Sequence, residues 1–390
     1  MLGRKWFSNK MIMKKKKVLL FEGYARQVLP YLKAFKDMDY ETTVIFNSRF
    51  DIAYFSRFVD FKILTTCEPS KFDESEKNII EIIKKGKYDL VVPMGDFAAI
   101  ILSKNKEELE KYANIAVNSW DKLSQAIDKN EVMRTCMANE ISCPHTYLDC
   151  TSIGALRLAK YPLVVKPVSE SGARGLHICN SYEELKSLNL RDLERYVFQE
   201  YIPMGSKNYS ASLYIDKDGE LKNCVIYRSI RWYPHKGGTG TLNVYEAREE
   251  IKDICLKLAR IMGLKGIVGF DLIEDPRDKN IKVLEINPRI LACAKISFCV
   301  GVNNARDLND EYFLGHIDYT EAREIDLKVR MTQIDILWLL KSKEGLRKNF
   351  SWFSQKNTID QTFSIRDPIP WFSFLIGGIL RLKKELRIRS

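Results

Sequence analysis

The sequence has no Cys-x-x-Cys pair and no cluster of cysteines and histidines with the spacing of zinc ligands. Its nine cysteines are odd in number and scattered along 390 residues, which does not indicate a disulfide framework. A constellation typical of a serine or cysteine nucleophile is also missing. We therefore expect reduced, mostly buried thiols in a cytoplasmic protein.

Long apolar runs are missing as well. After a basic start, the apolar run at residues 18–21 is too short for a secretory signal. The ten residues 371–380 are mostly apolar, but a helix that spans a bilayer needs about 20 such residues. A basic tail follows this segment, and two readings stay open: weak peripheral contact with a membrane interface, or docking on the protein's own surface.

The middle of the chain lacks an excess of positive charge, although the formal net charge is +11. Residues 1–17 carry seven Lys and Arg and no acid, and residues 381–390 carry five Lys and Arg and one Glu. The two ends therefore account for the whole excess. A nucleic-acid surface built into the fold would bias the body, so no nucleic-acid partner is expected.

What the body does contain is a pair of carboxylates in a predicted hairpin. Residues 267–273 and 281–287 alternate as strands do, and the Pro- and Asp-containing residues between them predict a turn. A hairpin symmetric about this turn places Asp271 opposite Glu285, with Cβ atoms roughly 4.5–5.5 Å apart. Two such carboxylates repel each other and lose hydration unless a proton or a cation lies between them.

Alternation also predicts the surroundings of this pair. Glu285 and Asn287 fall on the same face of their strand as Ile281 and Val283. A set of Asp, Glu and Asn oxygens suits Mg²⁺, which is typically held by one or two carboxylates plus the phosphates of a substrate. The hairpin therefore indicates an enzyme that uses ATP.

The chain as a whole predicts an α/β region followed by an α+β region. Residues 18–116 alternate continuous apolar strands with helices, which is typical of a parallel sheet covered on both faces. The Gly23 loop and the turn at Asp96 follow such strands and are candidates for ligand contacts. We expect four segments: a basic N-terminal extension (1–17), a parallel-sheet α/β domain (18–116), a domain of mixed hairpins and helices (117–315), and a short helical C-terminal extension with an apolar, basic tail (316–390).

Two lysines have positions that suit the phosphates of a nucleotide. Lys166 directly follows an apolar strand and precedes Pro167, so its ammonium group is held at a strand end. The small side chains of residues 169–175 let backbone N–H groups approach phosphate oxygens closely. Lys129 follows Asp128 at the predicted start of a helix. Each feature has another explanation when it is considered alone. Residues 169–175 fit a plain hairpin turn equally well, and Lys129 fits a solvated surface side chain.

In this order the segments resemble the ATP-grasp superfamily over roughly residues 18–315, and are similar to the ATP-binding domains of carbamoyl-phosphate synthase and biotin carboxylase. The resemblance implies a two-lobed α+β ATP-grasp domain behind a preceding α/β domain. The resemblance lies in four segments. Asp128-Lys129 with Cys143-Pro144-His145-Thr146 resembles the entry segment, and residues 161–167 with the small-residue loop resemble the phosphate-covering flap. Residues 197–203 resemble the adenine hinge, and residues 266–271 with Leu284-Glu285-Ile286-Asn287-Pro288-Arg289 resemble the metal-binding signature.

The resemblance implies contacts to the nucleotide. These are Lys129, Lys166, Ser171 and Gly172 for the phosphates, and the Gln199 side chain, the Glu200 carbonyl and the Ile202 N–H for the adenine. Where the family often has an acid for the ribose hydroxyls, this chain offers Asn208. An amide can also hydrogen-bond a hydroxyl, so Asn208 is the expected ribose contact.

The resemblance also implies a metal site and a catalytic cation. Asp271, Glu285 and Asn287 are expected to hold one or two Mg²⁺ ions, with Mn²⁺ as an alternative. Arg289 has two open roles. It stabilises the transferring phosphate or the acyl phosphate, or it forms an ion pair that orients Glu285.

Residues 228–240 resemble in position the family's loop that meets the acceptor substrate and the γ-phosphate. Cationic and aromatic side chains precede a Gly-Gly-Thr-Gly run there. Arg231 is the preferred acyl-phosphate contact and Lys236 the second, with a solvated basic loop as the alternative. His145 and His177 are expected to be structural.

The activity that the resemblance implies is ATP-dependent ligation. A carboxylate is activated as an acyl phosphate and joined to an amine or similar nucleophile, with release of ADP and phosphate. The substrates are small molecules that the sequence does not name, the location is cytoplasmic or membrane-peripheral, and a homodimer stays open. Two rival readings are a phosphotransferase with a stable phosphorylated product and a non-catalytic nucleotide-binding or membrane-associated scaffold.

Overall fold

The structure, a computed structural model, describes residues 14–168, 175–235, 238–342, 352 and 356–377. Within these residues the chain forms three β-sheets that follow one another along the sequence. The first is parallel, and the other two are mainly antiparallel.

The first sheet has the strand order β3-β2-β1-β4-β5, with every pair parallel. Its strands are β1 (Lys17–Leu20), β2 (Glu41–Phe46), β3 (Phe61–Leu64), β4 (Leu90–Val92) and β5 (Asn114–Ile115), and its helices are α1 (Val28–Asp37), α2 (Phe72–Gly86), α3 (Asp96–Lys104) and α4 (Lys106–Leu109). The central strands are fully buried, because helices cover both faces. The predicted parallel sheet is confirmed. The sequence pattern missed β3 because this edge strand is largely exposed, and β5 because it has only two residues.

The second sheet is small and antiparallel, with the order β6-β9-β7-β8. Two helices lead into it, α5 (Trp120–Ile127) and α6 (Lys129–Ala138). Its strands are β6 (Thr146–Tyr147), β7 (Leu163–Pro167), β8 (His177–Cys179) and β9 (Tyr196–Glu200), and α7 (Tyr182–Ser187) packs against its core.

The third sheet has seven strands in the order β14-β13-β10-β11-β12-β15-β16. Its strands are β10 (Lys207–Ile215), β11 (Leu221–Tyr233), β12 (Thr239–Tyr245), β13 (Gly266–Glu274), β14 (Ile281–Asn287), β15 (Lys328–Arg330) and β16 (Thr358–Asp360). The remaining helices are α8 (Glu249–Ile261), α9 (Lys295–Cys299), α10 (Asn304–Asn309) and α11 (Thr332–Lys341), and residues 369–377 form a further helix, the C-terminal helix.

The C-terminal region differs from the helical extension that the sequence predicts. It contains α11 and the C-terminal helix, but β15 and β16 also join the edge of the third sheet. Both strands have only three residues, so period-two alternation had too little length to appear. No helix among the described residues is both long enough and apolar enough to cross a bilayer.

One hydrophobic core joins the first sheet to the third. Leu20 and Leu32 of the first domain share this core with Tyr214 of β10 and Leu308 of α10. A second core lies between α6, α8 and the buried face of the third sheet. The opposite face of the third sheet packs in part against α9 and the core shared with the first domain, and another part of it faces the second sheet across a cavity.

Candidate active site

A cavity of about 450 Å³ lies between the second and third sheets. One side is formed by Lys166 and Pro167 of β7, and the other by side chains of β10 to β14. A separate cavity of about 530 Å³ lies where the first domain meets the start of β13. That cavity contains neither Asp271 nor Glu285, so we place the candidate site in the first one.

The predicted carboxylate pair lies in this cavity. Asp271 and Glu285 are directly opposite each other in the β13–β14 hairpin, as the sequence predicts. Ser210 donates a hydrogen bond of 2.6 Å to one Asp271 oxygen, and the Asn287 amide donates one of 3.0 Å to the other. Burial, together with the neighbouring Glu285 charge, raises the pKa of Asp271 to about 7. A bound cation would relieve both causes.

A β-bulge gives the hairpin this geometry. The register changes directly after Asp271, so that Leu272 pairs with Val283 and Leu284 is an extra residue. Leu284 and Glu285 therefore both face the cavity, whereas Val283 lies in the core. The prediction that Glu285 and Asn287 share a face with Ile281 and Val283 is wrong, because strict alternation does not survive the bulge.

Two lysines face the carboxylates, as predicted. The Lys129 ammonium lies 3.4 Å from a Glu285 oxygen and donates to the Val168 carbonyl at 3.0 Å. Its position is fixed by Asp128, whose side chain caps α6 by accepting from two backbone N–H groups at 2.8 and 3.1 Å. Lys166 has no hydrogen-bond partner among the residues that the structure describes, and burial lowers its pKa to about 8.

Three other predicted residues cannot be placed. Ser171 and Gly172 of the flap, and Lys236 of the acceptor loop, lie outside the described residues. Their roles stay predictions.

The hinge residues differ in what they offer. The Gln199 side chain is buried and donates to Thr146 at 2.9 Å, so it lies against β6 rather than in the cavity. The Glu200 carboxylate is held by Lys282 and Arg277, each at 2.9 Å. The Ile202 N–H donates to no group in the described parts of the chain, so it is available to an adenine. Asn208 lines the cavity, and its contact to a ribose stays a prediction.

Arg289 forms an ion pair, but not with Glu285. Its guanidinium binds both oxygens of Asp96, at 2.5 and 2.9 Å, and also donates to the Asn287 side-chain oxygen at 3.1 Å. Asp96 is the first residue of α3, so this pair ties the first domain to the end of β14. Arg289 also lines the cavity, and a contact to a transferring phosphate stays a prediction.

Arg231 lies elsewhere, which corrects its proposed role. Its guanidinium pairs with the fully buried Asp335 at 3.2 Å and lies 4.3 Å from the centre of the Trp338 ring. The register of β11 and β12 shifts on both sides of Arg231, and Trp232 faces the cavity instead. This placement argues for a structural Arg231 that anchors α11.

Sequence reasoning missed several cavity residues. Ser210 stands two positions after Asn208, and alternation along β10 was a signal that both share a face. Arg26, which follows β1, comes from the first domain, and no local pattern indicates its approach. Other cavity side chains that were missed include Tyr227, Asn243 and Cys293, whereas Ser229 and Trp232 belong to residues 228–240, the predicted acceptor loop.

The donor set fits a magnesium ion that a nucleotide helps to bind. No group of three or more His, Cys, Asp or Glu side chains within the described ranges suits a metal ion. Two carboxylates and the Asn287 amide are available, and Mg²⁺ is typically held by one or two carboxylates with phosphates completing its shell. The Asn287 side-chain nitrogen donates to Asp271, and its oxygen, the atom that would bind a metal ion, accepts from Arg289.

Comparison with known protein families gives a match for the part of the chain that contains the candidate site. Residues 126–293, which include the hinge, both lysines and the carboxylate pair, match the ATP-grasp domain family. Over these residues, which are less than half of the chain, the sequence matches that family, and the resemblance seen in the sequence is confirmed.

Several known proteins are similar to this chain in sequence or in structure. A D-aspartate ligase from Enterococcus faecium is 23% identical over 252 residues, which are 58% of this chain and only 59% of that protein. The biotin carboxylase domain of 2-oxoglutarate carboxylase from Hydrogenobacter thermophilus, solved with ADP, its magnesium salt and bicarbonate, has a TM-score of 0.64 at 17% identity, with 80% of this chain and 73% of that chain covered. An L-amino acid ligase from Bacillus licheniformis has a TM-score of 0.60 at 17% identity, with 77% and 75% covered.

At these identities the structural likeness establishes the fold, and the predicted fold class is confirmed. The names of these proteins are those of ligases and a carboxylase, in agreement with the prediction of an enzyme.

Proposed function

We propose that the protein is an ATP-dependent ligase that activates a carboxylate as an acyl phosphate and joins it to an amine or similar nucleophile. The observation that carries this proposal is the meeting of Lys129 and Lys166 with the Asp271–Glu285 pair in one cavity. Cations on one side suit phosphate oxygens. Paired carboxylates on the other side suit the metal ion that accompanies them.

ATP is proposed to lie between the second and third sheets. The phosphates contact Lys129 and Lys166, the ribose contacts Asn208, and the adenine lies at the hinge beside the free Ile202 N–H. Asp271 and Glu285, with Asn287, hold Mg²⁺, or Mn²⁺ as the alternative, and the bound ion neutralises phosphate charge.

The reaction proposed for this site has two steps, phosphoryl transfer and amide formation. A carboxylate oxygen of the substrate attacks the γ-phosphorus while the bond to the bridging oxygen of ADP breaks, which gives an acyl phosphate. An amine nitrogen then attacks the acyl carbon, phosphate leaves, and the amine loses a proton as the amide forms. Lys129 and Lys166 stabilise the negative charge and position the phosphate, which supplies most of the catalysis that such a transfer requires.

The substrates are proposed to include an amino acid. The relatives named above are ligases of D-aspartate and of L-amino acids, which supports this class. Arg26, Trp232 and Asn243 also line the cavity, and a guanidinium suits the carboxylate of an amino acid.

Measurement of ADP release tests the activity. The wild-type protein, Mg²⁺ and ATP are incubated with single amino acids, sugar acids and amines and with their pairs, and we expect ADP only in the presence of a carboxylate substrate. Added hydroxylamine then yields a hydroxamate, because an acyl phosphate acylates it. A stable phosphorylated product without hydroxamate would show a phosphotransferase, and stabilisation by ATP without ADP release from any substrate would show a scaffold.

A lysine substitution tests how the phosphates are bound. We expect Lys166→Met to weaken the binding of Mg-ATP by roughly tenfold to a hundredfold, because a hydrogen bond to a charged group contributes about 1.5–3 kcal/mol. Isothermal titration calorimetry measures the effect. The melting temperature of the free protein should change little, since the Lys166 ammonium has no hydrogen-bond partner in the described structure and the cost of burying its charge opposes its attraction to Glu285 and Asp271.

The matched control for this substitution is Lys160→Met. Lys160 is exposed on the same lobe and lies outside the cavity, so its loss should leave ATP binding unchanged. Equal ATP affinities of Lys166→Met and the wild-type protein would remove Lys166 from the site.

A further inference from the structure

The C-terminal helix is largely apolar, and one of its faces is exposed. Phe374 packs against the core of the first domain and Gly377 lies close to the Phe50 carbonyl, while Pro370 and Ser373 on the same face are buried. The outer face presents Ile369, Phe372 and Ile376, which are 51–52% exposed. A helix that is apolar all round is normally buried, so this outer face needs a cover.

The uncovered face continues onto the first domain. The Arg57 N–H donates to Asp367 at 3.1 Å at one end of the helix, and Gly377 packs against the Phe50 carbonyl at the other. The helix therefore runs alongside residues 50–57. Phe50 and Phe55 of that segment are 53% and 49% exposed. We refer to Phe50, Phe55, Ile369, Phe372 and Ile376 together as the aromatic face.

The charges around the aromatic face are of one sign. Exposed cations border it: Arg49, Arg57, Lys62 and Arg366. The carboxylates of the same two segments are engaged, since Asp51 and Asp367 are buried with hydrogen-bond donors and Asp60 pairs with Lys36. In the sequence, five Lys and Arg and one Glu follow the helix at residues 381–390.

We propose that the aromatic face binds the surface of a bilayer that contains anionic lipid. Phenylalanine and isoleucine side chains insert into the boundary between headgroups and acyl chains, and the surrounding cations are attracted to the anionic surface. A second copy of the chain fits less well, because it would bring two positive rims together. The helix lies in the interface and does not cross the bilayer.

Vesicle flotation with the full chain tests this proposal. We expect the protein to float with vesicles of phosphatidylcholine and phosphatidylglycerol, to bind pure phosphatidylcholine vesicles at least tenfold more weakly, and to lose binding as salt is raised. The double variant Phe372→Ser/Ile376→Ser should bind anionic vesicles at least tenfold more weakly than the wild-type protein. Leu158→Ser is the matched control, because Leu158 is 95% exposed on the second lobe and outside the aromatic face.

Light scattering measures the oligomeric state of the same proteins and so distinguishes membrane binding from contact with a second copy of the chain. A wild-type dimer that becomes monomeric in the Phe372→Ser/Ile376→Ser variant would overturn the proposal in favour of an interface between copies. Failure of the wild-type protein to float with anionic vesicles, or equal flotation of the double variant, would also overturn it. Unchanged melting temperatures of both variants establish that the fold is intact, and none of these results depends on the catalytic activity.

Discussion

The Glu285→Gln variant is expected to release no ADP above background in the presence of Mg²⁺, ATP and substrate, a loss of about a thousandfold or more. The substitution keeps the size of the side chain but removes one of the two charges that face the phosphates. An amide oxygen is a much weaker ligand for a hard cation than a carboxylate, and the site has no third carboxylate in the described parts of the chain to replace it. The metal would then be lost from the position where it neutralises the triphosphate.

The same variant should remain folded. Glu285 repels the half-buried Asp271, which contributes to the raised pKa of Asp271, but it also attracts the Lys129 ammonium at 3.4 Å. Its neutralisation therefore removes one unfavourable and one favourable interaction, and we expect the melting temperature of the free protein to change little. Mg²⁺ and ATP together raise the melting temperature of the wild-type protein, and this increase should be small or absent in Glu285→Gln.

Asp278→Asn is the matched control, because Asp278 lies in the exposed turn of the same hairpin and outside the cavity. It should keep both ADP release and the magnesium-dependent stabilisation. A folded Glu285→Gln protein with wild-type turnover would contradict the metal assignment.

The sequence predicts the carboxylate pair because the hairpin is local. Its strands are bounded by a recognisable turn, and counting outward from that turn places Asp271 opposite Glu285. The bulge at Leu284 was not predictable from alternation, since one extra residue changes which side chains share a face without changing the pattern of residue types. The position of Lys129 at the start of α6 was also predictable from neighbouring residues, because Asp128 is a typical helix cap.

Contacts between segments that are distant in the sequence could not be predicted from local sequence patterns. Asp96 and Arg289 are 193 positions apart, and only the packing of the first domain against the third sheet brings them together. Of the two roles that the sequence left open for Arg289, the ion pair with Glu285 is wrong, because the partner is Asp96. The cavity position of Arg26 is hidden for the same reason.

Arg231 shows how an irregular strand defeats a prediction that depends on position. The register shifts that flank it turn its side chain toward α11, where Asp335 also accepts hydrogen bonds of 2.7 Å from Thr241 and 2.6 Å from Trp352. Asp335 is fully buried, and its charge is compensated by the ion pair with Arg231 and by the nearby Arg330 guanidinium.

The Arg231→Met variant is therefore expected to lose about 3–5 kcal/mol of unfolding free energy, because removal of one partner leaves a buried charge unpaired. Urea denaturation measures the loss. Arg228→Met is the matched control on the same strand: its ion pair with Glu246 is partly exposed, and its loss should change stability by about 1 kcal/mol or less.

A second substitution distinguishes a structural Arg231 from a catalytic one. In Arg231→Met/Asp335→Asn both charges are gone, while an amide oxygen remains to accept from Thr241 or Trp352, so most of the lost stability should return. A structural role also predicts that this double variant keeps the turnover of the wild-type protein. If Arg231→Met instead keeps its stability and loses turnover, the guanidinium reaches the acyl phosphate during the reaction, and the pairing with Asp335 must break when substrates bind.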